Sequence, residues 1–275
     1  MKFRDYQIEI IDKSHTVLEA HRFVYLSMEV RTGKTLTAMG VATKLGIKNL
    51  LFVTKKKAIS SISADYKKLN PKYDLTVINY ESLHKVEGVF DLIVLDEAHT
   101  LGAYPKPSKR TKLIKQMISK QKPYVILMSG TPTPESFSQM YHQVYACPSS
   151  PFKHHVSFYK FAKEYVNVTQ RVIKSFPLNN YDDGKQSILD EMKPYMISYT
   201  QKEAGFKSQI KEHVLKVKMS DLTYRFVKEM REHSVIEGKK TDDAILGDTG
   251  VKKMSKIHQL FSGTVKLESG KGMVT

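Results

Sequence analysis

The sequence predicts an α/β fold, a parallel sheet with flanking helices, and three observations carry that expectation. Buried-strand runs alternate with amphipathic stretches through residue 132, the pattern of parallel strands joined by right-handed crossovers. The first strand run leads through Gly33-Lys34-Thr35 into a helix. A later run ends on the carboxylate pair Asp96-Glu97. In a parallel sheet both features fall at strand C-terminal ends, the edge where such folds bind ligands.

The elements follow in order. Phe3-Arg4-Asp5-Tyr6-Gln7 opens a helix expected to run to about Glu19, with Ile8, Ile11 and Val17/Leu18 as an uneven apolar face. Phe23-Val24-Tyr25-Leu26 is β-branched and aromatic, a buried strand. The turn Met28-Glu29-Val30-Arg31-Thr32-Gly33-Lys34-Thr35 follows, and then Ala38, Val41, Ala42 and Leu45 recur at helical spacing. Such a turn can cradle a nucleoside triphosphate: Gly33 lets the backbone approach, and the N–H groups around Arg31 and Thr32 and at the helix start point at phosphate. Lys34 can then reach the β- and γ-phosphates, and the Thr35 hydroxyl can ligate Mg²⁺. The full phosphate-loop pattern has glycine where this chain has Met28.

Asn49–Thr54 is the next strand, followed by Lys55-Lys56-Lys57 and a helix from about Ala58 to Leu69. By itself a run of three lysines reads as a solvated loop. Leu75–Asn79 is a short strand leading into Tyr80-Glu81-Ser82-Leu83, equally compatible with a phosphate-binding turn and a plain entry into a helix. Phe90–Leu95 is a strand ending in Asp96-Glu97-Ala98-His99. A carboxylate there can hold Mg²⁺ and its neighbour can activate water, whereas two acids capping a helix is the bland alternative. Ala103–Arg110, with two prolines and three basic residues, is an exposed loop. A helix over about Thr111–Lys120 and a strand over Tyr124–Met128 lead to Ser129-Gly130-Thr131-Pro132. Thr133-Pro134 is expected to start a helix whose Phe137, Met140, Tyr141, Val144 and Tyr145 form a core stripe.

From Pro148 to about Asn180 the periodicity loosens. His154-His155 reads as a surface pair, because no Cys, Asp or Glu sits at metal-ligand spacing around it. Helices are expected near Lys185–Met196, Ser220–His233 and Val251–Phe261, and Ser262–Thr275 as a frayed end or linker.

Composition narrows the partner. Lys+Arg 44 against Asp+Glu 28 gives a formal charge of +16, which suits a polyanion. Anionic membrane is the rival, but there is neither a long apolar stretch nor a basic amphipathic anchor. The single Cys147 excludes an intramolecular disulfide and reads as an inert packed thiol. Met1-Lys2-Phe3-Arg4-Asp5 shows no secretory signal, so a cytoplasmic location, or a host's cytoplasm for a phage protein, is expected.

Arg4 with Gln7, the Gly-Lys-Thr loop, Asp-Glu-Ala-His and Ser-Gly-Thr-Pro together resemble the first motor lobe of superfamily 2 helicases, and most of all the Snf2-like, duplex-DNA translocase branch. Ser108-Lys109 also resembles that branch, whereas Ser198-Tyr199 stand where it often has a basic pair. The resemblance implies a RecA-like P-loop NTPase lobe over 1–147, a mostly helical extension over 148–261 and a linker over 262–275 towards a second lobe. It implies ATP and Mg²⁺ as cofactors, with Arg4 and Gln7 at the adenine, Arg31, Thr32, Gly33, Lys34 and Thr35 at the phosphates, and Thr35 and Asp96 at the metal. Lys34, Asp96 and Glu97 would be catalytic, with Glu97 activating water. Lys55, Lys56, Lys57, Tyr80 and Ser82 would face the DNA backbone, and His99, Ser129, Gly130 and Thr131 would couple the two sites. Duplex DNA is favoured over single strands. Against an RNA helicase, position 99 is His rather than Asp and position 130 is Gly rather than Ala. The rival of another class is a nucleotide-dependent DNA-binding module that never turns over, because neither an arginine finger nor a second strand-helix series is evident after residue 132.

Overall fold

A computed structural model describes residues 2–173, 176–206, 213–238, 243–247 and 250–274. Six parallel strands form its main sheet: β1 (Phe23–Met28), β2 (Asn49–Thr54), β3 (Asp74–Asn79), β4 (Leu92–Asp96), β5 (Tyr124–Ser129) and β8 (Met196–Tyr199), in the order β3-β2-β4-β5-β1-β8. Between β5 and β8 lies an antiparallel hairpin of β6 (Thr169–Ile173) and β7 (Phe176–Asn180).

Side chains alternate across the sheet, and each face makes its own core. One face carries Phe23, Tyr25, Leu51, Val53, Ile93, Leu95, Val125 and Leu127. It is covered by α4 (Lys109–Gln121), α5 (Met140–Val144), α6 (Phe158–Tyr165) and α7 (Ser187–Met192). The other carries Val24, Leu26, Met28, Leu50, Phe52, Leu92, Val94, Ile126 and Met128. It lies under α1 (Asp5–His21), α2 (Lys34–Leu45) and α3 (Ile59–Leu69). Both faces being covered is why the strands read as continuous apolar runs instead of alternating ones. The register aligns the C-terminal ends, with Ser27 opposite Ser129 and Ser198, and Asp96 opposite Met128. Residues following Met28, Thr54, Asp96, Ser129 and Tyr199 therefore gather along one edge.

The chain divides into two compact units, 1–208 and 209–275. Within the second, α8 (Asp221–His233) and α9 (Gly250–Phe261) pack through Val227, Met230, Ile257 and Leu260. Ile257 and Leu260 of α9 face that core, while Met254 is 58% exposed.

Four sequence expectations are corrected. The helix expected from Thr133-Pro134 begins instead with a 3₁₀ turn at Phe137, because extended Ser136 supplies the cap, its Oγ accepting from the Ser138 N–H at 3.1 Å. The stripe itself is core: Met140, Tyr141 and Val144 are all buried. The helix expected over Lys185–Met196 is α-helical only over Ser187–Met192, because Pro194 has no N–H to donate back and the chain tightens into a 3₁₀ turn over Lys193–Tyr195. Met196–Tyr199 then become β8 and join the main sheet beside β1. The loosened stretch after Pro148 contains α6 and the β6–β7 hairpin. The expected frayed end holds an antiparallel hairpin, Thr264–Lys266 against Gly272–Val274. Cys147 is fully buried, as expected, and burial pushes its thiol pKa up.

Candidate nucleotide site at the sheet edge

The loop after β1 runs over residues 29–33, and Met28, which stands where the phosphate-loop pattern has glycine, is the last, fully buried residue of the strand. Thr32 Oγ1 donates back to the Glu29 carbonyl at 2.7 Å and closes the turn. Arg31 has φ 65° and Gly33 φ 82°, so two left-handed residues turn the chain into α2. At Gly33 a Cβ would also stand 2.6 Å from Gln7 Nε2, so a larger residue there would have to push the Gln7 amide aside as well as adopt positive φ.

Gln7 is buried, and both ends of its amide are engaged. Oε1 accepts from the Arg4 N–H at 3.0 Å, and Nε2 approaches the Gly33 carbonyl at 3.3 Å and Thr37 Oγ1 at 3.4 Å. Gln7 thus braces the phosphate loop from α1, while Arg4 Nη1 reaches Tyr6 Oη. Tyr6 Oη donates to the Thr32 carbonyl at 3.0 Å, and its ring stacks on Tyr199 with centroids 4.6 Å apart.

Lys34 Nζ folds back on its own loop, donating to the Met28 and Glu29 carbonyls at 2.7 and 3.0 Å. Desolvation lowers its pKa, and Asp96, Glu97 and Glu29 oppose that shift. Asp96, carried to the edge by β4, accepts from Thr54 Oγ1 at 2.7 Å; burial raises its pKa. Glu97 sits at φ 51°, a strained conformation for a non-glycine residue that turns its carboxylate outward. There it faces Lys55 Nζ and His99 Nδ1, each at 3.4 Å. His99 Nδ1 also meets Ser129 Oγ at 2.9 Å, and Ser129 Oγ accepts from the Thr131 N–H at 3.1 Å. A continuous polar chain runs Lys55–Glu97–His99–Ser129–Thr131. Lys34, Lys55, Glu97, His99, Gly130 and Thr131 all line one cleft of about 530 Å³.

Sequence reasoning missed four contributors. Gln201, beyond β8, donates from Nε2 to the Val30 carbonyl at 2.9 Å and from its N–H to Glu29 Oε2 at 2.7 Å. Tyr199 stacks on Tyr6, Tyr6 ties α1 to the loop, and Thr54 holds Asp96. Only the strand-end position of Thr54 could have been read locally; Gln201 and Tyr199 become neighbours of the loop through the β1–β8 pairing.

The residues expected on a nucleic-acid face divide. Lys56 and Lys57 are exposed and Ser82 is partly so. Lys55, equally exposed, turns towards Glu97. Tyr80 is a correction: it is 3% exposed, and its hydroxyl donates to the Asp96 carbonyl at 2.6 Å. Its ring belongs to the core, so it props the acidic strand end and offers no surface to a phosphate.

The sheet order, the parallel register and this edge define a RecA-like α/β lobe. Residues 30–269 match the SNF2-related domain family, and the chain belongs to that family. Among curated protein sequences none matches it. Solved structures share the fold, among them two of a SWI2/SNF2 ATPase core. The Sulfolobus solfataricus SWI2/SNF2 ATPase core in complex with dsDNA is 15% identical, with a TM-score of 0.59, covering 94% of this chain and 58% of that one. The same organism's SWI2/SNF2 ATPase core domain is 16% identical, with a TM-score of 0.57 and coverages of 94% and 57%. The chain thus spans somewhat under three-fifths of the length of the structures it resembles. Among the described residues, no helix is long and apolar enough to cross a membrane.

Proposed function

We propose that the chain is the ATP- and DNA-binding first lobe of a Snf2-like DNA translocase. The observation that carries this reading is the convergence of Lys34, Lys55 and Glu97 on one cleft, at the edge to which β4 brings Asp96. The N–H groups of residues 31–35 and the Lys34 ammonium bind the phosphates. The Thr35 hydroxyl and the Asp96 carboxylate are hard oxygen donors that fit Mg²⁺, which when bound offsets charge on the phosphate oxygens. Glu97 orients the attacking water and takes its proton. Arg4 and Gln7 lie on the adenine side, and a base-reading Gln7 must exchange one of its present partners for the base edge.

Lys55 gives the reading a coupling route. A DNA phosphate that competes for its ammonium releases Glu97, while Lys56 and Lys57 supply further backbone contacts. His99, Ser129, Gly130 and Thr131 connect the same carboxylate to the turn after β5. Duplex DNA is the expected partner, consistent with the complex in which the S. solfataricus relative was solved. His99 and Gly130 weigh against the RNA-helicase alternative.

The described residues contain one parallel sheet and no second RecA-like lobe. Without a cation from such a lobe, worth about 10³-fold or more in phosphoryl transfer, the 275-residue chain should bind ATP yet turn it over very slowly, with little stimulation by DNA. Supplying a second lobe, covalently or in trans, should restore DNA-stimulated turnover. Glu97→Gln should then abolish turnover while sparing ATP binding, both followed by phosphate release and calorimetry. DNA-stimulated turnover of about 1 s⁻¹ or more by the chain alone would refute the half-motor reading. ATP binding with no turnover under any pairing would favour the nucleotide-dependent binding module.

A further inference from the structure

We propose that His154, His155 and Glu164 form a site for one divalent transition-metal ion of the zinc class, separate from the nucleotide cleft and independent of its chemistry. By sequence the histidine pair has no acidic neighbour at ligand spacing. The structure corrects that: the chain reverses after His155, and α6 returns Glu164 to it. One candidate ligand atom from each of the three residues lies within 4.8 Å of the others.

The His155–Glu164 geometry is the telling part. His155 is 7% exposed, and its Nε2 is buried without a hydrogen-bond partner. That nitrogen stands 3.4 Å from Glu164 Oε2. Two ligands bound at about 2.0–2.1 Å on adjacent corners of a tetrahedron stand roughly 3.3–3.4 Å apart. The pair therefore already has the spacing of two atoms sharing a metal ion, and a buried ring nitrogen without a hydrogen bond would gain a partner from it.

The surroundings fix this ligand. The His155 ring meets Phe161 and Tyr165 edge-on, at centroid distances of 6.0 and 5.6 Å, and its carbonyl accepts from Tyr141 Oη at 2.6 Å. Ser157 caps α6, and the Glu164 carbonyl accepts from Lys185 Nζ at 2.6 Å. His154 is exposed, with its ring centroid 3.9 Å from that of His155, so a rotamer change can bring it to the ion. Two imidazoles and one carboxylate, with a fourth position for water, make a borderline donor set. It suits zinc, cobalt or nickel over magnesium or calcium, which take oxygen ligands. An ion bound there would clip the turn at 154–155 to α6.

Titration of the purified chain with Co²⁺, in excess Mg²⁺ to occupy the nucleotide cleft, is the test. The expected result is one equivalent bound with visible bands of tetrahedral cobalt, displaced by Zn²⁺. His154→Ala and Glu164→Gln change exposed side chains and should leave the far-ultraviolet circular dichroism intact. Each should weaken Co²⁺ and Zn²⁺ affinity by roughly 10- to 100-fold or more. No saturable binding overturns the site, and so does binding that survives either substitution.

Discussion

Lys34→Ala is expected to weaken ATP binding by a defined amount. Lys34 Nζ now satisfies the carbonyls of Met28 and Glu29, so nucleotide binding exchanges these for phosphate oxygens. Alanine removes the exchange, leaving the two carbonyls to water and the phosphate without its counter-charge. One hydrogen bond to a charged group contributes about 1.5–3 kcal/mol, which corresponds to a rise in Kd of roughly 10- to 150-fold. Only part of that would appear as lost stability of the nucleotide-free protein, because burial already disfavours the ammonium and lowers its pKa. Phosphates restore the charged form, so binding takes up protons and affinity should fall as pH rises through the lysine's range. The alanine variant should lose that dependence. Isothermal calorimetry with Mg·ATP across pH measures both effects, with circular dichroism confirming the fold. Equal affinity in the variant and the parent would show that the turn at 29–35 does not hold phosphates.

Three further outcomes are expected. Duplex DNA should bind without sequence preference and with a steep salt dependence. Replacing Lys55, Lys56 and Lys57 by alanine should reduce the slope of log K against log salt by up to about three contacts, and an unchanged slope moves the DNA face elsewhere. Tyr25 Oη donates to Gln143 Oε1 at 2.7 Å inside the core, and Gln143 Nε2 donates to the Pro132 carbonyl at 2.9 Å. Tyr25→Phe orphans the amide oxygen and should cost about 1–3 kcal/mol in urea unfolding; a change of a few tenths would mean that the network contributes nothing. His142 accepts from Lys115 at Nδ1 and donates from Nε2 to the Pro105 carbonyl, at 2.8 and 2.9 Å. Burial lowers its pKa from 6.5 to about 4. Between those values the unfolded chain binds more protons, so stability should fall as pH drops through this window, by up to about 3 kcal/mol. His142→Gln should flatten the fall, as read from urea midpoints, and an identical pH profile would place its origin in other groups.

Much of the lobe is determined by the sequence alone, because its requirements are local. Strands buried on both faces must be apolar throughout, so β1, β2, β4 and β5 declare themselves by composition. A backbone turning left-handed against Gln7 favours glycine at 33, and acids at the end of a buried strand leave Asp96 and Glu97 at an edge wherever that strand lies. Tertiary structure decided what depends on which strand lies beside which. Four residues at 196–199 carry too little periodicity to announce a strand, yet pairing with β1 makes them one and brings Tyr199 and Gln201 onto the phosphate loop. Tyr80 and Lys55 look alike as loop residues next to strands. Packing turns the first inward beneath Asp96, and charge draws the second to Glu97. Glu164 meets His155 only because a capped helix reverses the chain between them. Local patterns encode the secondary structure and the backbone it needs; side-chain partnerships across elements depend on the register, burial and chain reversals that the assembled fold imposes.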